Sequence, residues 1–396
     1  MSRERTIQPE AAFEGEVISL PLYLDYPAST PLDPRVFDAM SPLMQGARGN
    51  PHSRTHALGF KAHHAIEEAR IEIARLIQAK PHEIIFTSSA TEANNLALLG
   101  ILRAATGRRH VISCVTEHEA ILRPLEALAE EGVEITLLPV DTEGRIDIDE
   151  LEGAIRPETT LITLMAANNE TGVIHDLNAI GRIAAHHGIP FHSDAAQGLG
   201  TLDIDVGRDS LAALSLSSHK IYGPSGIGAL YLREDIEIRP IFHGGAQEKT
   251  LRPGTLPTAL CVGFGEACRL LLETREEEAA GFTALRQEFL ATLRAKLGNR
   301  LRVNGEEAAH IPNCLSLTID GVEAEDLIDR LPDLALSTGS ACTSARGEPS
   351  HVLIAMGRTA VEAAATLRLG FGRSTRTVEL RYAAHRIAEA VQSLIS

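Results

Sequence analysis

Short β-branched runs alternate with longer helical patterns between Pro81 and Leu232, and this alternation constrains the fold more than any other feature. A strand that is buried on both faces is a continuous apolar run. Such runs are EIIFT (83–87), HVIS (110–113), EITLL (134–138), TLITLM (160–165) and PFHS (190–193). Helical patterns lie between them, for example at 91–105 and 177–187. The alternation predicts an α/β fold, with a mostly parallel sheet covered by helices and a ligand at the carboxyl ends of its strands.

The pattern changes after about Cys268. A charged helical stretch at 273–297 is followed by strand patterns near 313–319 and 335–337. A final helical pattern begins at about Val378. This order of elements predicts a smaller α+β domain in the last third of the chain.

A chain of 396 residues is long enough to form two hydrophobic cores. We therefore predict a large ligand-binding domain at 32–267 and a smaller C-terminal domain at 268–396. The remaining N-terminal segment, 1–31, is expected to pack with the smaller domain.

The net charge of −16 disfavours a nucleic-acid groove or an anionic membrane surface as a direct partner, because both would repel the chain. No stretch approaches the roughly 18 consecutive apolar residues of a spanning helix, and the N-terminus has no apolar run of signal-peptide length. We therefore predict a cytoplasmic protein. The cysteines are odd in number and form no C-x-x-C pair, which is typical of a reducing compartment without structural disulfides or a metal site.

Lys220 lies between a short apolar strand and a glycine-rich turn, in LSLSSHKIYGPSGIGALYL (214–232). A solvated surface residue is the simplest interpretation of a single lysine. A tight turn can instead hold the amine in a pocket, where it can form a Schiff base with an aldehyde cofactor such as pyridoxal phosphate (PLP). Lys220 is therefore the candidate attachment residue.

Asp194 ends the apolar strand PFHSD at the predicted ligand edge of the sheet. If Lys220 holds PLP, an acid must keep the pyridine nitrogen protonated so that the ring can withdraw electrons, and Asp194 can do this. Gln197 follows three residues later and can reach the phenolic oxygen. The alternative role for Asp194 is that of a helix N-cap.

A phosphate needs backbone N–H donors and hydroxyls. The turn TSSATEANN (87–95) follows a strand and opens a helix, so Thr91 and the nearby amides can cradle a phosphate at the positive helix end, although the same residues could be only a cap. Ser217 and His219 can add donors. His118, in the turn after the strand HVIS, can stack on the ring and carry protons.

Cys342 differs from the other cysteines in its surroundings. It lies in STGSACTSARGEPS (337–350), a run too small and polar to anchor itself, which predicts an exposed loop with an accessible thiol. The remaining cysteines lie in apolar strand or helix patterns and are expected to be buried; they are Cys114, Cys261, Cys268 and Cys314.

Taken together, these segments resemble the cysteine desulfurases of the IscS and NifS type, which are class V PLP enzymes. The resemblance extends from about Tyr23 to Leu394. The motifs that carry it are YLDYPASTPLDPRV (23–36), GNPHSRTH (49–56), FTSSATEANNLAL (86–98), TEHEAIL (116–122), NNETGV (168–173), HSDAAQ (192–197), SSHKIYGPSGIGALY (217–231), RPGTLP (252–257) and STGSACTS (337–344). The fold it implies is the type I fold of PLP-dependent transferases.

The resemblance implies a cofactor role for most of the candidates. Lys220 would carry PLP, Asp194 would contact the pyridine nitrogen and Gln197 the phenolic oxygen. His118 would lie over the ring. The implied phosphate ligands are Ala90, Thr91, Ser217 and His219.

The resemblance also implies a substrate and partners. Asn169 and Arg368 would hold the carboxylate of L-cysteine, with Arg368 acting as a bidentate fork. Cys342 would take the sulfur as a persulfide, with alanine as the other product, and pass it to a sulfur-acceptor protein. Thr255, in RPGTLP, would reach the phosphate of the other subunit, which makes the protein a homodimer.

Some positions depart from the family pattern. Serine stands at 89 and 218, where the family usually has glycine, and Pro253 stands where it has serine. The segment 27–30 reads PAST in place of Ser-Ala-Thr-Thr. The acceptor pathway stays open between iron–sulfur cluster assembly, tRNA thiolation and DNA phosphorothioation. Alternative functions are a selenocysteine lyase or cysteine sulfinate desulfinase on the same fold, or a non-catalytic docking subunit.

Overall fold

The computed structural model describes residues 9–46, 49–339 and 349–396. Its helices are α1 (Pro34–Gln45), α2 (Ala57–Leu76), α3 (Ala90–Ala104), α4 (Glu119–Glu130), α5 (Ile148–Gly153), α6 (Leu177–His186), α7 (Thr258–Leu297), α8 (Ala324–Asp329), α9 (His351–Ala355), α10 (Ala360–Ala364) and α11 (Thr377–Ile395). Its strands are β1 (Glu10–Phe13), β2 (Glu16–Ser19), β3 (Leu22–Tyr23), β4 (Ile84–Thr87), β5 (His110–Cys114), β6 (Glu134–Leu138), β7 (Thr159–Thr163), β8 (Phe191–Asp194), β9 (Ala213–Ser217), β10 (Gly228–Leu232), β11 (Leu301–Val303), β12 (Cys314–Ile319), β13 (Leu334–Ala335), β14 (Ser337–Thr338) and β15 (Thr366–Gly370). Within these ranges, none of the helices has both the length and the apolar content that crossing a lipid bilayer requires.

The central sheet has the strand order β4-β10-β9-β8-β7-β5-β6. The strands from β9 to β6 are parallel neighbours, whereas β10 runs antiparallel to both β4 and β9. Alternate residues of β4 show that both faces are covered: Ile84 and Phe86 pack in one hydrophobic cluster, with α2 and α7, and Ile85 packs in another, with α3 and α4. The α/β prediction is confirmed.

The expected burial of EITLL (134–138) on both faces is wrong. This segment forms β6, which is the last strand of the sheet order and has a neighbour on one side only. Glu134 and Leu137 are exposed and Leu138 is buried. An edge position leaves part of a strand open to solvent, and an apolar run alone does not distinguish an edge strand from a central one.

A second sheet has the order β11-β12-β15-β14 and its neighbours are antiparallel. Its core contains Leu315 and Leu317 of β12, Leu367 of β15 and Val391 of α11, and it also contains Leu24 from the N-terminal segment. This packing supports the predicted association of segment 1–31 with the smaller domain. The domain boundaries themselves stay a proposal.

Helix α7 contributes to both cores. Cys261 and Phe264 pack with the central sheet, and Phe289 and Leu293 pack with the second sheet. The helix begins at Thr258, upstream of the charged stretch that predicted it. Its first turns contain Cys261 and Cys268, which were expected on an apolar helical face, and one continuous helix joins these turns to the charged stretch.

Candidate active site

A cavity of about 400 Å³ lies where β8 and β9 end, with Asp194 and Ser217 in its wall. Ten of the residues predicted from sequence line this one cavity: Ala90, Thr91, His118, Asn169, Asp194, Gln197, Ser217, His219, Lys220 and Arg368. The carboxyl ends of parallel strands meet at one edge of the sheet, which explains why residues so far apart in sequence converge.

Lys220 ends a short 3-10 turn that directly follows β9. Its Nζ donates to the carbonyl oxygens of Pro27 and Ala28, the latter at 3.0 Å, and both residues line the cavity. The chain can fold back here because Gly223 has no side chain; a Cβ at this position would lie 2.1 Å from Ser218 Oγ. The turn therefore keeps the amine at the cavity wall, as predicted.

Asp194 is the last residue of β8 and is buried. Its Oδ1 accepts the backbone N–H of Ala196 at 2.9 Å, which resembles the local cap considered as an alternative. Its Oδ2 accepts the side-chain N–H of Asn94 at 2.6 Å. One carboxylate therefore has both a local structural bond and a bond across the cavity wall.

Asn94 was missed by the sequence analysis. It lies one turn into α3, is fully buried and lines the cavity. The contact with Asp194 joins residues 100 positions apart, so no local pattern predicts it. The motif TSSATEANN did place Asn94 near a ligand site, but its two asparagines look alike in sequence.

The N-terminus of α3 also faces the cavity, through Ala90 and Thr91. Ser89 is the N-cap, and its Oγ accepts the N–H of Glu92 at 3.2 Å. Serine at 89 therefore supplies a capping bond that the glycine usual in the family cannot. A helix start with free N–H groups favours an anion such as a phosphate.

Two histidines in the wall are held in the neutral form. His118 caps α4, and its Nδ1 accepts the N–H of Ala120 at 3.0 Å, so the proton of the neutral ring is on Nε2. Burial lowers the pKa of His118, and Asp194 opposes this shift. Burial also lowers the pKa of His219, to about 4, and its Nδ1 lies 3.1 Å from Ser29 Oγ.

Arg368 projects from β15 of the second sheet into the same cavity, and its side chain is buried. Its Nη2 donates to Asp25 at 3.0 Å, its Nε to Ser337 Oγ at 3.2 Å and its Nη1 to the carbonyl of Asn169 at 3.4 Å. The guanidinium is therefore oriented by three groups. Asp25 and Ser337 were not predicted to support it.

Glu170 is a further buried carboxyl next to this end of the cavity. It accepts a hydrogen bond from the Ser350 hydroxyl at 2.5 Å. Burial raises the pKa of Glu170 to about 7, and the hydrogen bond from Ser350 and the charge of Arg368 oppose the shift. The sequence offered NNETGV as a motif but gave no reason to single out its glutamate.

Comparison with known proteins identifies the family. Residues 22–382 match the aminotransferase class-V family. A probable mitochondrial cysteine desulfurase of Schizosaccharomyces pombe is 47% identical over 377 residues, which cover 94% of this chain and 75% of that protein. The cysteine desulfurase IscS of Rickettsia bellii is 45% identical, over 95% of this chain and 92% of that protein. This chain belongs to the cysteine desulfurases of the aminotransferase class-V family.

Solved structures of related proteins have the same fold. A NifS-like protein is 31% identical and superposes with a TM-score of 0.88, over 94% of this chain and all of that one. SspA in complex with cysteine is 36% identical with a TM-score of 0.80, over 89% of this chain and 99% of that one. The type I fold expected from the resemblance is confirmed.

Cysteine desulfurases are PLP-dependent enzymes, and the chemistry of the cavity fits that cofactor. Lys220 offers an amine, Asp194 a carboxylate and the start of α3 a set of N–H donors. Asn94 Oδ1 is buried without a hydrogen-bond partner among the described residues, so the wall retains an acceptor that a bound group can use. Amine, acid and anion site are the groups that an aldehyde, a pyridine nitrogen and a phosphate require.

Thr255 and Cys342 are the two site candidates that remain. Thr255 is exposed and does not line the cavity of its own chain. Cys342 lies outside the described residues. The other four cysteines are buried. Burial raises the pKa of the Cys114 and Cys314 thiols to about 11, so neither thiol is readily ionised at neutral pH.

Proposed function

We propose that this chain is a PLP-dependent cysteine desulfurase that moves the sulfur of L-cysteine to Cys342 and releases L-alanine. The observation that carries this proposal is the convergence of Lys220, Asp194 and Arg368 on one cavity. An amine, an acid and a fork for a carboxylate are the groups that an amino-acid substrate and this cofactor need. The relatives named cysteine desulfurases support the choice of substrate.

The residues that would hold PLP are Lys220 at the aldehyde, Asp194 at the pyridine nitrogen and Gln197 at the phenolic oxygen. The phosphate would bind at Ala90, Thr91, Ser217 and His219. When bound, PLP supplies an electron-accepting ring that weakens the bonds at the α-carbon of an attached amino acid. Asp194 holds a proton at the ring nitrogen, and Asn94 fixes the orientation of its carboxylate through the 2.6 Å contact.

Protons are carried by two side chains of the cavity. The Lys220 amine removes the α-proton of the substrate when it is not attached to the cofactor. His118 is neutral with its proton on Nε2, so it would lie over the cofactor ring without adding a second positive charge and could donate from that nitrogen.

Arg368 and Asn169 bind the substrate carboxylate. The 3.4 Å contact from Arg368 to the Asn169 carbonyl places the two residues side by side. Asp25 and Ser337 each accept one further guanidinium N–H, which leaves donors for the substrate and means that the fork needs little ordering when the substrate arrives.

Sulfur transfer is a displacement at the substrate sulfur. The Cys342 thiolate forms a sulfur–sulfur bond as the carbon–sulfur bond breaks, and the carbon keeps the electron pair and takes a proton to become alanine. No external oxidant is needed, because the persulfide sulfur is oxidised as the carbon is reduced. An acceptor protein then takes the persulfide sulfur, for iron–sulfur assembly, tRNA thiolation or DNA phosphorothioation.

The proposed enzyme is a cytoplasmic homodimer. Thr255 is exposed and is not among the described residues that line its own cavity, which fits a residue that serves a second copy of the chain. Neither a nucleic acid nor a membrane is proposed as a direct partner, since the net charge of −16 repels both.

The test of the sulfur carrier is mass spectrometry of cysteine-treated, unreduced enzyme. We expect one added sulfur on the peptide that contains Cys342, and we expect Cys342→Ser to lose both the persulfide and sulfide release. Cys114→Ser is the matched control. Burial raises the pKa of the Cys114 thiol, so its removal should leave the persulfide signal on the Cys342 peptide unchanged. Full turnover in Cys342→Ser would instead indicate a lyase that needs no loop thiol, such as a selenocysteine lyase or a desulfinase.

A further inference from the structure

The segment that carries Thr255, residues 246–256, contains an unusual stretch of backbone, and we call it the Thr255 loop. Glu248, Lys249 and Thr250 have φ angles of 44°, 57° and 68°. None of the three is glycine. Residues other than glycine rarely adopt this left-handed backbone conformation. Three such residues in succession persist only where contacts with the surrounding structure enforce the conformation.

Glu248 supplies the enforcing contacts. Its side chain is 4% exposed, and its two oxygens accept a bidentate pair from Arg70 at 2.8 Å and 2.8 Å. The same carboxylate accepts the backbone N–H of Phe86 at 2.7 Å. A buried carboxylate with three charge-assisted or backbone bonds is a strong anchor.

The anchor is attached to the free edge of the central sheet. β4 stands at one end of the sheet order, so no strand of the described residues pairs with its outer N–H and C=O groups. Arg70 donates to the Ile84 carbonyl at 2.7 Å and Glu248 accepts from Phe86, which occupies two groups of that edge. The Arg70 guanidinium also lies 4.8 Å from the centre of the Phe86 ring. The Arg70–Glu248 pair thus supplies two of the hydrogen bonds that a neighbouring strand would make.

A second tether joins the Thr255 loop to α3. Arg252 Nε donates to Glu92 at 2.9 Å, and Glu92 lies in the first turn of that helix. Leu256 is buried, so Thr255 is held between two fixed neighbours while remaining exposed itself. The helix that fastens this loop, α3, is also the one whose start lines the chain's own cavity.

We infer that Arg70 and Glu248 are positioning residues that hold Thr255 in place for the cavity of a second copy of this chain. The inference rests on the proposed function, in which Thr255 contacts the phosphate of the partner. A loop that is already ordered loses little conformational freedom when it engages the partner's cofactor.

The test is a double-mutant cycle on cofactor affinity. Apoenzyme dimers of the wild type, Glu248→Gln, Thr255→Ala and the double variant are titrated with PLP, with the dimer fraction checked by sedimentation. We expect Thr255→Ala to weaken PLP about tenfold, as for one lost hydrogen bond to a charged group. We expect Glu248→Gln to weaken it about three- to tenfold by displacing Thr255, and the double variant to be no weaker than Thr255→Ala alone.

The controls separate positioning from loss of stability. Asp333→Asn breaks a matched bidentate contact, with Arg386 at 2.7 Å and 3.0 Å in the smaller domain, and should leave PLP affinity within about twofold. Arg70→Lys keeps the charge and loses the fork, so it serves as the milder variant if Glu248→Gln does not fold; it should show the same dependence on Thr255. Multiplicative effects of Glu248→Gln and Thr255→Ala would overturn the positioning role alone. An unaffected PLP affinity in Thr255→Ala would overturn the shared site as well.

Discussion

The two ends of the active-site cavity are built by different parts of the chain. At the cofactor end, Asp194 and Ser217 terminate neighbouring strands of the central sheet, and α3 packs on that sheet. At the substrate end, Arg368 projects from the second sheet and is held by Asp25 from the N-terminal segment. The cofactor end is therefore built by the central sheet and the helix that packs on it. The substrate end also requires the second sheet and the N-terminal segment to pack against the central sheet.

This difference predicts two kinds of variant. A change at the cofactor end alters the groups that hold or tune PLP, so it should lower the rate of the chemical step. A change at the substrate end leaves the central sheet intact, so it should weaken cysteine binding and retain the cofactor.

The largest effect is expected for Lys220→Ala. Among the described residues that line the cavity, Lys220 is the one with a primary amine, so no neighbour can replace it. We expect alanine release to fall below detection and borohydride to trap no cofactor on the protein. Lys61→Ala, at an exposed site on α2, is the control and should be unchanged. Cofactor trapped on another lysine in peptide maps would contradict the assignment.

Asp194→Asn should be the next most damaging change. Asparagine is similar in size, so the fold should persist, but the negative charge beside the ring nitrogen is lost. We expect kcat to fall about 100- to 1000-fold, the range for removing one electrostatic stabiliser of a developing charge. The absorption band of bound PLP should shift, and the KM for cysteine should change little. Asp235→Asn removes an exposed carboxylate and should have no effect; an equal loss there would point to a general effect of charge.

At the cofactor end, the sequence patterns could place Asp194 and Lys220 at the ligand edge of the sheet, because each of them follows a strand pattern. An apolar run shows where a strand ends, and Asp194 and Lys220 stand just past such runs. Asn94 could not be predicted in this way, since its contact with Asp194 depends on how α3 packs against β8.

Less of the substrate end could be predicted from local sequence patterns. Arg368 was assigned through the family resemblance, because it lies inside the strand pattern of β15 and not in the segment that follows it. Its supports, Asp25 and Ser337, come from segments separated from it by 343 and 31 positions. Contacts between the second sheet and the N-terminal segment are set by tertiary packing, which hydrophobic periodicity does not report.

Arg368→Lys tests the substrate end directly. A single ammonium cannot reproduce the planar fork, so we expect the KM for cysteine to rise about 10- to 100-fold, as for a lost hydrogen bond between charged groups. Bound PLP and its absorption band should be retained, in contrast to Lys220→Ala. Arg376→Lys, at a surface ion pair, is the control. Loss of cofactor from Arg368→Lys would show that the two ends are not separable.

The smallest expected effect on catalysis, and a clear effect of pH, is predicted for Glu170→Gln. Burial raises the pKa of Glu170 from 4.5 to about 7 in the fold, so the neutral acid is the favoured form. Its stabilising contribution is therefore complete below pH 4.5 and is lost as the pH rises to about 7, where the wild type begins to bear a buried charge.

The glutamine of Glu170→Gln imitates the neutral acid and can still accept the hydrogen bond from Ser350, so the variant should avoid this loss of stability. We expect the stability of the variant relative to wild type to rise by about 2 kcal/mol between pH 5 and pH 7, at 1.36 kcal/mol per pKa unit, with kcat within about twofold. Urea unfolding midpoints at pH 5, 6, 7 and 8 measure this, and parallel pH profiles for the two proteins would show that Glu170 is already ionised in the fold.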